Sequence, residues 1–232
     1  ELVDMEHYQI TSVLGPEAES LLAHQCSKIP KDSIYQPSAA IIDDVFAYSD
    51  RSPVVLGNLQ RLYHSGRLAG TGYISIFPVD QAIEHTAAYS FYKNPAYFDP
   101  ETIVRVAHEG GCNGVASTLG VLGLMSKKYA DKIPFILKLN HNELLTMPTK
   151  HNQIPFASVK QAKNLGAVGV GATIYFGSPE SNQQLVQVAQ LFAEAHEQGL
   201  LTILWCYPRN SAFTKDGQSY ESAIDISAQA NH

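Results

Sequence analysis

From Gly72 onward one pattern recurs and limits what this chain can fold into: a helical stretch ends at a glycine, and a short apolar run follows. Gly110-Gly111 precedes Gly114-Val-Ala-Ser-Thr118. Gly166 precedes Ala167-Val-Gly-Val-Gly-Ala-Thr173, and Gly199 precedes Leu200-Leu-Thr-Ile-Leu-Trp205. A glycine just past a helix end takes the left-handed cap conformation without steric cost. Apolar runs of ~5–7 residues without polar alternation suit parallel strands buried on both faces. Residues 73–79 and 134–140 fit the same role. Helix starts stand between the runs. Asp99-Pro100-Glu101 combines an N-cap, a proline in the first turn and an early acid. Ser178-Pro179-Glu180 opens a second helix, whose Leu185, Val188, Phe192 and Ala195 make one apolar face.

Strands alternating with helices imply βα units and a parallel sheet. The five runs end near Asp80, Thr118, Asn140, Thr173 and Tyr207. Their mean spacing of about 32 residues suits a TIM (β/α)8 barrel of ~250 residues. The expected fold is therefore α/β, with about the first five βα units of such a barrel in residues 71–232 and the C-terminal units missing from the chain. Residues 1–70 differ in texture, with helical stretches near 17–26 and 54–64 joined by turn-rich links, and are expected to form an N-terminal helical arm. An open, doubly wound five-stranded sheet is the competing architecture. No GxGxxG follows the first run, so its dinucleotide-binding version loses support.

Composition narrows the function classes. With 16 Lys+Arg against 22 Asp+Glu the formal net charge is −6, which argues against a nucleic-acid partner that needs cations to displace counterions. No apolar run approaches the ~18 residues of a membrane span. The opening residues have neither a basic nor an apolar region, so no leader is expected. Cys26, Cys112 and Cys206 are odd in number and widely spaced, which fits a reducing cytoplasm better than a disulfide framework. Only 16% of residues are charged, against ~25% in average domains. That points to surface covered by other subunits and so to a homo-oligomer.

In a barrel, chemistry gathers where strands end. Asp80 follows the first run directly, followed by Gln81, Glu84 and His85. A carboxylate there can exchange a proton or orient a hydroxyl, or simply cap the next helix. His85 alone is more often structural. Lys138 is the only lysine inside an apolar run. It could be a nucleophile of lowered pKa, a partner for Asp80, a phosphate clamp, or a side chain snorkelling to the rim. Trp205, Tyr207 and Arg209 share one face of the last run, because side chains repeat every two residues. That face presents an apolar wall, a phenol able to act as an acid, and a guanidinium able to clamp a phosphate or carboxylate. The same alternation sends Cys206 into the core. His141 with Glu143 could ligate a metal, but no second histidine stands at ligand spacing, so no metal site is expected.

The stretch Ala69-Gly-Thr-Gly-Tyr-Ile-Ser-Ile-Phe-Pro-Val-Asp-Gln-Ala-Ile-Glu-His85 resembles the first barrel strand of archaeal-type class I fructose-bisphosphate aldolases, bacterial branch. Gly-Cys-Asn-Gly-Val-Ala-Ser-Thr118, Lys-Leu-Asn-His-Asn-Glu143, Val-Gly-Ala-Thr-Ile-Tyr-Phe-Gly-Ser178 and Arg-Asn-Ser-Ala-Phe-Thr-Lys-Asp-Gly217 extend the likeness over nearly the whole chain. The resemblance implies a metal-independent, cofactor-free Schiff-base lyase that reversibly cleaves fructose 1,6-bisphosphate to dihydroxyacetone phosphate and glyceraldehyde 3-phosphate. It implies acid–base roles for Asp80 and Tyr207 and a supporting role for Lys138. Gln81, Glu84, His85, Trp205 and Arg209 are implied to bind the phosphorylated sugar. It also implies a Schiff-base lysine on a sixth strand and phosphate loops after the seventh and eighth, none of which is expected within these 232 residues. Related barrels with the same Asp, Tyr and Lys act on other sugar phosphates, and a non-catalytic barrel fragment is a further alternative.

Overall fold

A computed structural model describes residues 10–25, 29–143 and 150–209, with the backbone of 214–215 and 218–219. Five of the strands form one sheet: β1 (Ile76–Val79), β2 (Gly114–Ser117), β3 (Phe135–Lys138), β4 (Gly169–Phe176) and β5 (Leu201–Pro208). All neighbours are parallel, with registers such as Ile76↔Gly114, Val115↔Phe135, Ile136↔Gly169 and Gly169↔Leu201. The spatial order is the chain order. A doubly wound sheet reverses direction at a switch point, whereas a barrel adds each strand beside the last. The sheet is thus the barrel type, and the doubly wound alternative is set aside.

The two faces of the sheet bury different partners. Val115, Phe135, Leu137 and Val170 point outward and pack with Val104, Ala107, Leu122 and Tyr129 of the helices Pro100–Glu109 and Leu119–Tyr129. The other face carries Ile76, Ala116, Ile136, Leu201, Ile203 and Trp205, which cluster with Val55, Leu59 and Leu62. Those last three belong to helix Pro53–Tyr63, capped by the Ser52 side chain. Asn58 Nδ2 donates to the Gly199 carbonyl at 2.8 Å, tying this helix to the start of β5. A Cβ on Gly199 would meet Val54 Cγ1 at 2.5 Å, and its φ of +82° also favours glycine. Residues Ser38–His232 cluster as one unit and Glu1–Pro37 as another. The larger unit starts ahead of the 70/71 line drawn from sequence, because the apolar face of Pro53–Tyr63 belongs to the sheet's inner cluster. The smaller unit holds the short helix Ala18–Leu22.

Helix starts follow local chemistry. Asp99 Oδ1 accepts from the Glu101 N–H at 2.9 Å, and Thr118 caps Leu119–Tyr129. One boundary shifts: the helix expected to open at Ser178 starts at Ser181, and Ser178 is buried instead of capping it. β4 runs three residues past Thr173, and Gly177 then turns the chain with φ +78° before the helix can begin. β3 is shorter than its apolar run. Leu139 donates to the Gly171 carbonyl at 2.8 Å, and Asn140–His141 pairs instead with Ile154–Pro155. Cys26 and residues 210–213 lie outside the described residues.

Candidate active site

The site begins with a reversal of the chain after β1. Glu84 N–H donates to the Asp80 carbonyl at 3.2 Å, and Ala82 N–H donates to the His85 carbonyl at 2.7 Å. Ala82 makes the reversal with φ +85°, the left-handed region that an alanine side chain resists. The outcome is that Asp80 and Glu84, four residues apart, aim at the same spot. β3 supplies the charge between them. Lys138 shares the inward face with Ile136, and its side chain is only 10% exposed. Its Nζ lies 2.5 Å from Asp80 Oδ2 and 3.0 Å from Glu84 Oε1.

Glu84 is the more enclosed carboxylate, 4% exposed against 23% for Asp80. Besides Lys138 it accepts from the Asn142 N–H at 2.9 Å, Gln153 Nε2 at 3.1 Å and the Tyr175 hydroxyl at 3.3 Å. Burial alone would raise its pKa. His141 and Lys138 beside it, with the Asn142 and Gln153 donors, outweigh that and hold it at about 2. His141 Nδ1 is buried 3.7 Å from Glu84 Oε1 and 3.9 Å from Asp80 Oδ2, and makes no hydrogen bond. Asp80, Glu84 and His141 thus bring ligand-type atoms within 4.8 Å of one another. Asp80 and Glu84 hold the Lys138 ammonium between them.

A second cluster joins this one through Tyr175. Burial, and then the negative charge of Glu84, push the Tyr175 phenol up to about 12, so it stays a donor. Its ring lies 5.9 Å from that of Tyr207, its register partner on β5, and 5.1 Å from His151. The Arg209 guanidinium covers both tyrosines, at 5.4 Å and 5.1 Å from the ring centres, a cation–π arrangement. Tyr207 is the exposed member of the pair. Trp205 sits one layer deeper. A Cβ on Gly171 would fall 2.2 Å from its Cζ3, so the ring packs directly against that glycine.

Of the residues singled out from sequence, the fold brings together Asp80, Glu84 and Lys138, and separately Tyr207 and Arg209. Gln81 lines a cavity of about 420 Å³ together with Lys138, His141, Thr118, Leu124 and Phe156. The His85 ring is exposed and outside the cluster. Cys206 packs on the outer face beside Leu204 and Ile174, as alternation requires, and burial pushes its thiol up. Tyr175 and Asn142 stand among the polar residues that the sequence places at strand ends, without a role assigned to either; no pattern marks Gln153. A larger cavity of about 630 Å³ runs beside β5, but its lining is mostly apolar (Val55, Phe192, Leu204) and it holds no carboxylate.

Comparison with known proteins adds independent findings. The family model described as DeoC/LacD family aldolase matches residues 74–232. A protein of Chlamydia muridarum named probable fructose-bisphosphate aldolase class 1 is 55% identical over 223 residues, covering 96% of this chain and 64% of that protein. A fructose-bisphosphate aldolase/6-deoxy-5-ketofructose 1-phosphate synthase of Methanocaldococcus jannaschii is 32% identical over 168 residues, 68% of this chain and 54% of that protein. Among solved structures, an archaeal fructose-1,6-bisphosphate aldolase with its catalytic lysine bound to the carbinolamine intermediate superposes with TM-score 0.60 at 31% identity. That match covers 75% of this chain and 64% of the other. The chain thus spans under two thirds of the length of these relatives.

Proposed function

The chain belongs to the DeoC/LacD aldolase family, and from that premise we propose that it carries part of the catalytic site of a class I, Schiff-base fructose-1,6-bisphosphate aldolase. The observation that supports this most is Lys138 held between Asp80 and Glu84 at the carboxyl ends of β1 and β3. Tyr175 and Tyr207 stand on the neighbouring strands.

Cleavage of a ketose bisphosphate bound as an iminium needs a base to take the proton of the C4 hydroxyl. The C3–C4 bond then breaks, its electron pair passes to the iminium nitrogen, and an aldehyde leaves. An acid next returns a proton to the enamine carbon. In this reading Asp80 and Tyr207 move those protons. Asp80 is the more exposed of the two carboxylates, and Tyr207 is the exposed phenol of its pair. Arg209 clamps an anionic group of the sugar phosphate, and Trp205 supplies the apolar wall. Gln81 and His85 contact substrate from the β1 turn. Lys138 serves as a charge rather than a nucleophile, since an ammonium donating to two carboxylates has no lone pair to offer.

The same reading makes the protein a homo-oligomer of the cytoplasm, acting in glycolysis and gluconeogenesis. The low charged fraction of 16% supports the first point and the cysteine spacing the second. Among the described residues no helix is long and apolar enough to cross a membrane. The M. jannaschii relative favours a second reading, in which another ketose phosphate is the substrate. A coupled cleavage assay on the full-length protein, run with chelator, separates them. Fructose 1,6-bisphosphate should be turned over at least tenfold more efficiently than other ketose phosphates. No cleavage of it, with cleavage of another, would select the second reading.

A further inference from the structure

Of the two carboxylates on Lys138, Asp80 is the more exposed, 23% against 4% for Glu84. We propose that Glu84 is a positioning residue: by sharing the Lys138 ammonium, it leaves the Asp80 carboxylate only partly neutralised and so able to take a proton from substrate. This rests on the aldolase reading, in which Asp80 is the proton-transfer group, and it departs from the expectation that Glu84 binds the sugar.

Three observations carry it. First, both Glu84 oxygens are occupied from four segments of chain. Oε1 accepts from Lys138 on β3, from the Asn142 N–H and from Gln153, while Oε2 accepts from Tyr175 on β4. With its side chain 4% exposed, Glu84 offers no accessible oxygen to a substrate hydroxyl. Second, the turn that presents it forces Ala82 to φ +85°. Strain of that kind persists only where the surroundings over-determine the conformation, and here the four donors to Glu84 do so. Third, the local charge count is two carboxylates to one ammonium. The titratable groups facing Glu84 are Asp80 on its own turn, Lys138 and His141 from the β3 side, and Tyr175 from β4. With Glu84 neutral, Asp80 would form a one-to-one pair with Lys138 and lose a like charge within 4.8 Å. Both changes make Asp80 a weaker base.

The test is the pH profile of kcat/KM in the full-length protein. Glu84→Gln keeps the shape while removing the charge; its amide oxygen can still accept at the Oε1 position, and the Tyr175 hydroxyl can turn to accept from its NH2. Its acid limb should move about one to two units to lower pH, as expected for loss of a charge a few ångströms away in partly buried surroundings. Tyr175→Phe removes a donor to Glu84 but keeps the charge, so its limb should stay within about 0.3 unit of wild type on the same electrostatic argument. A Glu84→Gln enzyme whose kcat falls while its limb stays in place would overturn the proposal and leave Glu84 a packing residue. If Glu84→Gln does not fold, carboxyl ¹³C NMR of the wild type decides. The Glu84 signal should stay that of the anion down to about pH 3, given its donors, and titration in the range of an exposed glutamate would overturn the proposal. A wild type that cleaves no ketose phosphate would refute the aldolase reading instead, and the NMR measurement would still stand for Glu84.

Discussion

Replacing Lys138 by Met tests whether the ammonium holds the mouth of the sheet together. The change preserves an unbranched chain of similar reach but leaves Glu84 and Asp80 facing each other without a cation. Its size can be worked from Glu84, whose pKa falls from an ordinary 4.5 to about 2. A depressed carboxylate contributes stability that is present above its unfolded pKa and lost as pH falls through its folded one. At 1.36 kcal/mol per unit this is on the order of 3 kcal/mol at neutral pH, lost between about pH 4.5 and 2. Breaking a buried pair from one side typically costs ~3–5 kcal/mol, which agrees. In the variant Glu84 keeps His141, Asn142 and Gln153 against the cost of burial but loses Lys138, so its carboxyl rises from its depressed position. Urea unfolding at pH 7 should therefore show a loss of about 3–5 kcal/mol against wild type, and the gap should narrow as pH falls below about 4.5. A gap that is absent at pH 7, or that widens towards pH 4.5, would refute the reasoning.

Gly171→Ala would drive a Cβ into the Trp205 ring. It should cost about 1–3 kcal/mol and shift the emission of Trp205, the only tryptophan in the chain; an unchanged spectrum and Tm would remove the ring from that glycine. Tyr207→Phe should leave KM near wild type and lower kcat by about 10²–10⁴, the usual contribution of a positioned acid–base group. An unchanged kcat would take the phenol out of proton transfer. Asp80→Asn should reduce kcat to a similar degree with little change in unfolding midpoint; a collapse in stability with normal activity per folded molecule would make Asp80 purely structural.

The five strands were legible because a glycine cap followed by an unbroken apolar run has few other uses. The shared face of Trp205, Tyr207 and Arg209, with Cys206 opposite, follows from the period of two alone. What escaped depends on events that leave no pattern. Ala82 in a left-handed conformation looks in sequence like any alanine, so the return of Glu84 to Asp80 could not be read. Gln153 reaches Glu84 from 69 residues away, through a short ribbon with no periodicity to mark it. β4 was cut short at Thr173, the first polar residue after the apolar run, whereas Tyr175, packed among Glu84, His151 and Tyr207, is a further inner residue of the same strand. Ser178 carried the chemistry of a cap, but the turn at Gly177 delayed the helix beyond its reach.

Borohydride reduction of the full-length protein with dihydroxyacetone phosphate, followed by intact mass and peptide mapping, tests directly whether Lys138 is a paired charge within a Schiff-base aldolase site or the amine that attacks the substrate. One stoichiometric adduct should form, and the peptide containing Lys138 should carry none of it. An adduct mapped to Lys138 would contradict the account, and so would the absence of any adduct in an enzyme that cleaves fructose 1,6-bisphosphate.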